Sequence, residues 1–300
     1  MHFILFFIVL FAFSASAQPF DNSRYVEIDG ISIHYRYWEI PANEAEGHVL
    51  LIHGFGGSSF SWEEVADSLH HLNYEVVAAD MPPFGYSDKY HTINQSRTAH
   101  VRRVHSLLEQ EYPGRKWHLA GHSMGGTIAQ AYALMYPDEL RSVTFVAPVL
   151  FSSVEPDDSD NSSLLRFSFL PFIAGELAEE WFIRHSRVES LLESAYGKTP
   201  TEEQVEAYLR PLLLPGTARA ILSAPAYNRE KDSLDAADLQ VPAIAIWGEN
   251  DTWVSHHSQK ENLERMPGVK LKLLPDVGHN PMETHFKEFM RAWLPFLEAF

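Results

Sequence analysis

The chain contains no cysteine. That excludes a disulfide framework, a thiol nucleophile and a lipoprotein attachment site, and it leaves the redox compartment open. Positive charge is also scarce. Lys and Arg total 23 against 40 Asp and Glu, a formal net charge of −17. Nucleic acid is held by a cationic face, so this balance argues against a polyanion as partner. No internal repeat is present, and low complexity is confined to the acidic stretch Glu155-Pro156-Asp157-Asp158-Ser159-Asp160-Asn161-Ser162-Ser163. The one long apolar run, Phe3 to Phe13, is too short to cross a bilayer comfortably.

That run is followed by Ser14-Ala15-Ser16-Ala17, and Ala15-x-Ala17 is a small-residue cleavage signature before Gln18. Residues 1–17 are therefore expected to be a secretory signal peptide, with the mature protein secreted or periplasmic. The segment before the run has no Lys or Arg, so an uncleaved membrane anchor is the alternative, with a buried helix third. The sequons at Asn94 and Asn161 matter only in a eukaryotic secretory host.

Three hundred residues, 45% of them hydrophobic, suffice for one domain with an insertion or for two small ones. Asp29-Gly30, between Arg24–Ile28 and the alternating Ile31–Trp38, predicts an opening hairpin. The pattern then changes to short continuous apolar runs at 49–52, 76–79, 144–147 and 243–247, with a last strand at 269–274. Such runs suit parallel strands buried on both faces. Helical patterns lie between them at 62–72, 96–111, 127–136 and 255–265, and another closes the chain at 284–300. Alternation of this kind predicts an α/β fold with about eight mostly parallel strands.

One segment breaks the rhythm. Residues 164–230 carry helical patterns and no convincing buried strand. We expect a core at 18–150, a helical lid (cap) at 151–232 and a second part of the core at 233–300. Thr199-Pro200-Thr201-Glu202 reads as a capping box opening a helix that runs to Leu209, before Pro211. The aromatics Phe167, Phe169, Phe172, Trp181, Phe182, Tyr196 and Tyr208 divide between lid core and cavity lining in a way the sequence does not resolve.

The chemistry centres on Gly121-His122-Ser123-Met124-Gly125-Gly126, between the strand pattern at 117–120 and the helix at 127–136. A serine on so sharp a strand-to-helix turn sits in a strained conformation with its hydroxyl lifted off the sheet. The backbone N–H of Met124 is then placed at a helix N-terminus, where it can donate to an oxyanion. Serine needs a base to take its proton. Of sixteen histidines, His279 lies in the loop after the last strand, on the sheet edge that carries Ser123. His53 and His122 suit packing roles. The histidine needs a carboxylate to fix its tautomer. Asp251, after the strand 243–247, fits that place, and Glu249 and Asp276 are rivals. The loop after 147 offers Pro148-Val149-Leu150-Phe151 and no carboxylate, which favours Asp251. The loop His53-Gly54-Phe55-Gly56-Gly57 is placed to supply a second oxyanion donor, the N–H of Phe55.

These motifs, with Trp62, Asp80-Met81-Pro82-Pro83-Phe84-Gly85-Tyr86-Ser87, Trp247-Gly248-Glu249-Asn250-Asp251 and Gly278-His279-Asn280-Pro281, resemble those of α/β-hydrolase-fold serine hydrolases. The resemblance is to the subgroup of esterases, meta-cleavage-product hydrolases and cofactor-free haloperoxidase-like proteins. One departure stands out: Pro83-Phe84 occupies the middle of a segment that usually reads Asp-x-Pro-Gly-x-Gly or Asp-x-Arg-Gly-x-Gly. Asp80 is expected to be structural.

The resemblance implies the triad Ser123, Asp251 and His279, an oxyanion hole from Phe55 and Met124, a small-molecule ester as substrate, and no metal or organic cofactor. Serine at 123 disfavours dehalogenases and epoxide hydrolases of this fold, which use aspartate there. The alternatives are a carbon–carbon bond hydrolase or perhydrolase with the same triad, an amino- or iminopeptidase, and a ligand-binding protein on a hydrolase scaffold. Oligomeric state is left open.

Overall fold

The computed structural model describes residues 18–41, 43–152, 183–227 and 232–300. The expected signal peptide, most of the expected lid, and Phe167, Phe169, Phe172, Trp181 and Phe182 lie outside the described residues.

Eight strands form one sheet: β1 (Ser23–Ile28), β2 (Ile31–Trp38), β3 (Gly47–Ile52), β4 (Tyr74–Ala79), β5 (Trp117–His122), β6 (Leu140–Val146), β7 (Ala243–Gly248) and β8 (Lys270–Leu274). Their spatial order is β1-β2-β4-β3-β5-β6-β7-β8. β1 pairs antiparallel with β2, and β2 with β4; every later pairing is parallel. The hairpin turns on Asp29 and Gly30, both at positive φ (54° and 75°). A two-residue loop of this conformation matches the twist of the flanking strands, which is why Asp-Gly selects it.

Parallel neighbours need crossovers, and helices supply them on both faces. α1 (Glu63–His71) and α9 (Phe286–Leu297) cover one face; α2 (Arg97–Glu111) and α3 (Met124–Met135) cover the other. The strand pleat sorts side chains between the two layers. In β3, Leu50 and Ile52 join the core beneath α2 and α3, while Val49 and Leu51 join the one beneath α1 and α9. β4 and β7 divide in the same way, which explains their unbroken apolar runs.

Between β6 and β7, themselves neighbours in the sheet, the described residues form α4 (His185–Tyr196), α5 (Glu202–Leu212) and α6 (Thr217–Tyr227). α4 and α5 share a small core of Val188, Leu192, Ala195, Tyr196, Val205 and Leu209, seated on Trp253. α5 differs from the expected helix in two ways. Its capping box is Thr201 with Gln204, because Gln204 reciprocates Thr201 while Glu202 turns instead to His185 Nε2 at 2.8 Å. It also continues through Pro211, whose missing N–H forgoes one backbone bond and after which only Leu212 remains in the helix. The helix expected at 255–265 is confined to α7 (Lys260–Arg265). Ahead of it Ser255 accepts from His257 N and Ser258 N, local bonds that compete with helix. A single turn, α8 (Pro281–Thr284), precedes α9.

Candidate active site

β5 runs into Ser123, and α3 begins at the next residue. Ser123 has φ 51° and ψ −114°, a conformation that costs a non-glycine residue about 1–3 kcal/mol. Both ends of its peptide are held. Its N–H donates to Val146 O at 3.0 Å, and its carbonyl accepts from Gly126 N at 2.9 Å and Val149 N at 3.1 Å. The elbow is wedged against β3. A Cβ on Gly125 would lie 2.3 Å from Ile52 O, and one on Gly54 would lie 2.7 Å from His122 Nδ1 and 3.2 Å from Ser123 Cβ. Only hydrogen fits in either place, so the loop after β3 and the turn after β5 meet at the serine.

His279 reaches this edge through the turn after β8, where Asp276 takes φ 60°. Its Nδ1 lies 2.8 Å from Asp251 Oδ2. Asp251 Oδ1 accepts from Trp253 N at 2.8 Å and Val254 N at 2.9 Å, so the carboxylate is fixed before it meets the ring. A carboxylate accepts, which puts the ring proton on Nδ1 and leaves Nε2 as the basic nitrogen. The rivals Glu249 and Asp276 are exposed; Asp251 is buried. Among the described residues no hydrogen bond joins Ser123 Oγ to the His279 ring, a contact that commonly tightens only with substrate.

Several residues not singled out in the sequence mount this histidine. Trp253 stacks on its ring (centroids 5.6 Å apart, planes at 24°) and donates Nε1–H to Ser194 Oγ on α4 at 3.1 Å. The His279 N–H donates to Ala195 O at 2.7 Å. Its carbonyl accepts from His122 Nε2 at 2.9 Å. Burial, with the neighbouring His279, pushes the His122 pKa well down, so His122 stays a neutral donor. Trp253 could have been found as an aromatic two residues from the acid. The contacts from α4 leave no local trace in sequence.

The loop His53-Gly54-Phe55 turns tightly, with Gly57 N–H donating to Gly54 O at 3.1 Å. The Phe55 ring meets Phe84 edge to face at 4.9 Å, and Phe84 also lies against His53. The Pro83-Phe84 departure thus places an aromatic support under the Phe55 loop. His53 accepts from Met81 N at 2.9 Å through Nε2, and burial pushes its pKa down. Met124 is the first residue of α3, where a backbone N–H has no acceptor within the helix and the dipole favours an anion.

Asp80 is structural. It accepts from Ser59 N at 2.6 Å, Tyr86 N at 2.8 Å and His34 Nδ1 at 2.7 Å. Burial alone would raise its pKa; the charge and hydrogen bond of His34 reverse that and hold it below the usual carboxylate range.

Among the described residues His185, Glu202 and Glu206, on α4 and α5, have metal-ligand spacing, but Arg210 already engages Glu206.

A family model described as the alpha/beta hydrolase fold matches residues 47–286. Lipase 3 of Moraxella sp. (strain TA144) is 26% identical over 254 residues, 84% of this chain and 77% of that one. The 2-hydroxy-6-oxononadienedioate/2-hydroxy-6-oxononatrienedioate hydrolase of Burkholderia vietnamiensis is 24% identical over 298 residues, 92% of this chain and 96% of that one. Among solved structures, a membrane phospholipase A described as a bacterial virulence factor has a TM-score of 0.73 at 21% identity, covering 92% of this chain and 86% of that one. At that identity the likeness shows the fold alone. The family match runs from β3 through the elbow and the His279 loop to the start of α9, and the chain belongs to the alpha/beta hydrolase fold family.

Proposed function

We propose that this hydrolase cleaves a carboxylic ester through an acyl-enzyme. The observation that carries the reading is the His279–Asp251 pair, 2.8 Å apart, on the sheet edge where Ser123 stands on its strained turn. In the proposed reaction Ser123 Oγ attacks the ester carbonyl carbon while its proton passes to His279 Nε2. The oxyanion accepts from the N–H groups of Phe55 and Met124. Collapse breaks the carbon–oxygen bond, and His279 returns the proton to the departing alcohol. Water then attacks the acyl group, giving its proton to Nε2, and the acid leaves as Ser123 recovers its own. Asp251 stabilises the imidazolium at each turn without itself taking the proton. No step calls on a metal or organic cofactor.

The lipase names among the relatives support an ester substrate. The relative from Burkholderia, named a hydrolase of 2-hydroxy-6-oxononadienedioate and matched over nearly its whole length, favours a second reading in which the same triad cleaves a carbon–carbon bond of a vinylogous diketone. The test is a panel of p-nitrophenyl esters from acetate to palmitate, run on the chain from Gln18 beside Ser123→Ala. Serine-dependent release is expected. Faster turnover of a vinylogous diketone would install the second reading, and equal release by Ser123→Ala would overturn both.

We place the helices α4–α6 in a lid over this site, and the protein outside the cytoplasm on the strength of its first seventeen residues. Mass spectrometry of the exported protein should then find Gln18 at its N-terminus; retention of Met1 would point to the anchor.

A further inference from the structure

Glu283 belongs to no step proposed above, yet three donors converge on it. Tyr196 OH, at the end of α4, donates to Oε1 at 2.9 Å. Tyr208 OH, on α5, donates to Oε2 at 2.8 Å, and Asn280 Nδ2 to the same oxygen at 2.7 Å. Glu283 keeps some accessible surface, but lies deep enough that lost hydration, the largest influence on it, pushes its carboxyl up to about 7. The hydrogen bonds from Asn280, Tyr208 and Tyr196 pull the other way, and among the described residues the groups acting on it include no cation. A glutamate held so far from water, without a counter-charge, is costly unless its neighbours are needed where it gathers them.

What it gathers is the underside of the candidate histidine. Asn280 follows His279 directly. The residue before Tyr196 is Ala195, whose carbonyl takes the His279 N–H at 2.7 Å. A Cβ on Gly278 would lie 2.6 Å from Ala195 O and 2.9 Å from Tyr196 O, so the end of α4 is pressed against the histidine loop. Ser194, one residue earlier, takes the indole N–H of the tryptophan stacked on the His279 ring. Ser194 and Ala195 of α4 therefore support the imidazole from its face and its backbone, and Tyr196 and Tyr208 hold that helix end and its partner α5 to Glu283.

We propose that Glu283 is a positioning residue for His279: by binding Tyr196, Tyr208 and Asn280 it seats the end of α4 against the histidine loop and fixes the imidazole for proton transfer. The inference rests on the triad reading. It also assigns the α4–α5 pair a part in the machinery that a mere cover would not have.

The test compares Tyr196→Phe, Tyr208→Phe, their double variant, Glu283→Gln and Glu283→Ala with the wild-type chain on a p-nitrophenyl ester. Loss of alignment at the base is expected to lower kcat about tenfold or more in the double variant and in Glu283→Ala. KM should stay within twofold, and Glu283→Gln, which still accepts from Tyr208 and Asn280, should keep kcat within about threefold. Proton NMR supplies a readout that needs no turnover: the downfield Nδ1–H resonance of His279 should shift or broaden in the double variant. Unchanged kcat, or a rise in KM alone, overturns the proposal, the latter by making Glu283 a substrate contact. If the wild-type chain hydrolyses no ester, the triad reading fails by itself and the resonance decides: left unmoved, it overturns the clamp. Should the double variant not fold, the two single phenylalanine variants carry the same comparison.

Discussion

Glu283 should give the protein's stability a pH dependence that one substitution removes. The carboxyl is raised from 4.5 to about 7 in the folded protein. Below about pH 4.5 both states are protonated and its contribution is fully present. Between 4.5 and 7 the unfolded chain has released the proton while the folded chain holds it, so stability falls as pH rises through the folded value. The span, 7 minus 4.5, converts to roughly 3 kcal/mol at the full effect. The partial exposure of the side chain returns some hydration to the carboxylate and lowers the expectation to about 2 kcal/mol. Glu283→Gln deletes the titration at the cost of about one hydrogen bond, roughly 1 kcal/mol. Tyr196 and Tyr208 do not titrate in this range, since burial and Glu283 push both phenols up. Urea denaturation from pH 4 to 8 is the assay, read as the difference between wild type and variant, in which other groups cancel. Wild type should lose about 2 kcal/mol relative to Glu283→Gln across that interval, leaving the variant equal or more stable at pH 8. Two parallel stability curves would refute the reasoning.

Four further outcomes follow from the geometry. Gly125→Ala drives a methyl to 2.3 Å from Ile52 O and should destabilise the fold by more than about 3 kcal/mol, measured by denaturant unfolding. Asp251→Asn should retain the circular dichroism of the wild type and lose about 10³–10⁴-fold in kcat on esters, because an amide no longer fixes the histidine tautomer. Arg97→Ala removes a paired contact with Asp232 (2.7 and 2.8 Å) and a stack on Phe151, which together join the two ends of the inserted segment to α2. A cost of about 1–2 kcal/mol is expected in the same denaturation assay, because the pair is only partly exposed. Ser23→Ala should leave ester turnover unchanged and cost about 1 kcal/mol of stability.

How much of this was legible in the chain depended on whether the signal was local. The elbow is local: glycines at 121 and 125 around a serine, between an apolar run and a helix, leave few other conformations. The parallel strands were legible because burial on both faces writes itself as an unbroken run, as in Val49–Ile52. Strand order was not readable from the runs, because pairing joins segments far apart in the chain. Asp251 was separable from Glu249 only by position, and the structure adds the reason: two backbone N–H groups, from Trp253 and Val254, await that carboxylate. Apart from Trp253, two residues from Asp251, the mount of His279 was invisible because its parts come from α4 and α5, tens of residues away. The displaced capping box was invisible for a smaller reason. Thr199 and Thr201 both carry the motif, and the choice fell to whichever acid or amide lacked a better partner.

The chain also holds a second serine–histidine–aspartate row, and what separates it from the first is instructive. Ser23 Oγ lies 2.8 Å from His34 Nε2, and His34 Nδ1 lies 2.7 Å from Asp80 Oδ2, the connectivity proposed for Ser123, His279 and Asp251. Yet every atom there is already committed. Ser23 Oγ accepts from Phe20 N, Asp80 accepts two backbone N–H groups besides the imidazole, and His34 and Asp80 are sealed from solvent. Ser23 lies in a regular antiparallel strand, where no helix N-terminus offers donors to an oxyanion. The Asp251–His279 pair shares the two backbone N–H groups and the burial. The difference lies at the serine: Ser123 stands on a strained turn, with α3 starting at the next residue and a glycine loop pressed against its Cβ. A hydrogen-bonded row of the right side chains stabilises a fold as readily as it activates a nucleophile. The distinction lies in the backbone, which at Ser123 takes a strained turn straight into α3 and at Ser23 is regular strand.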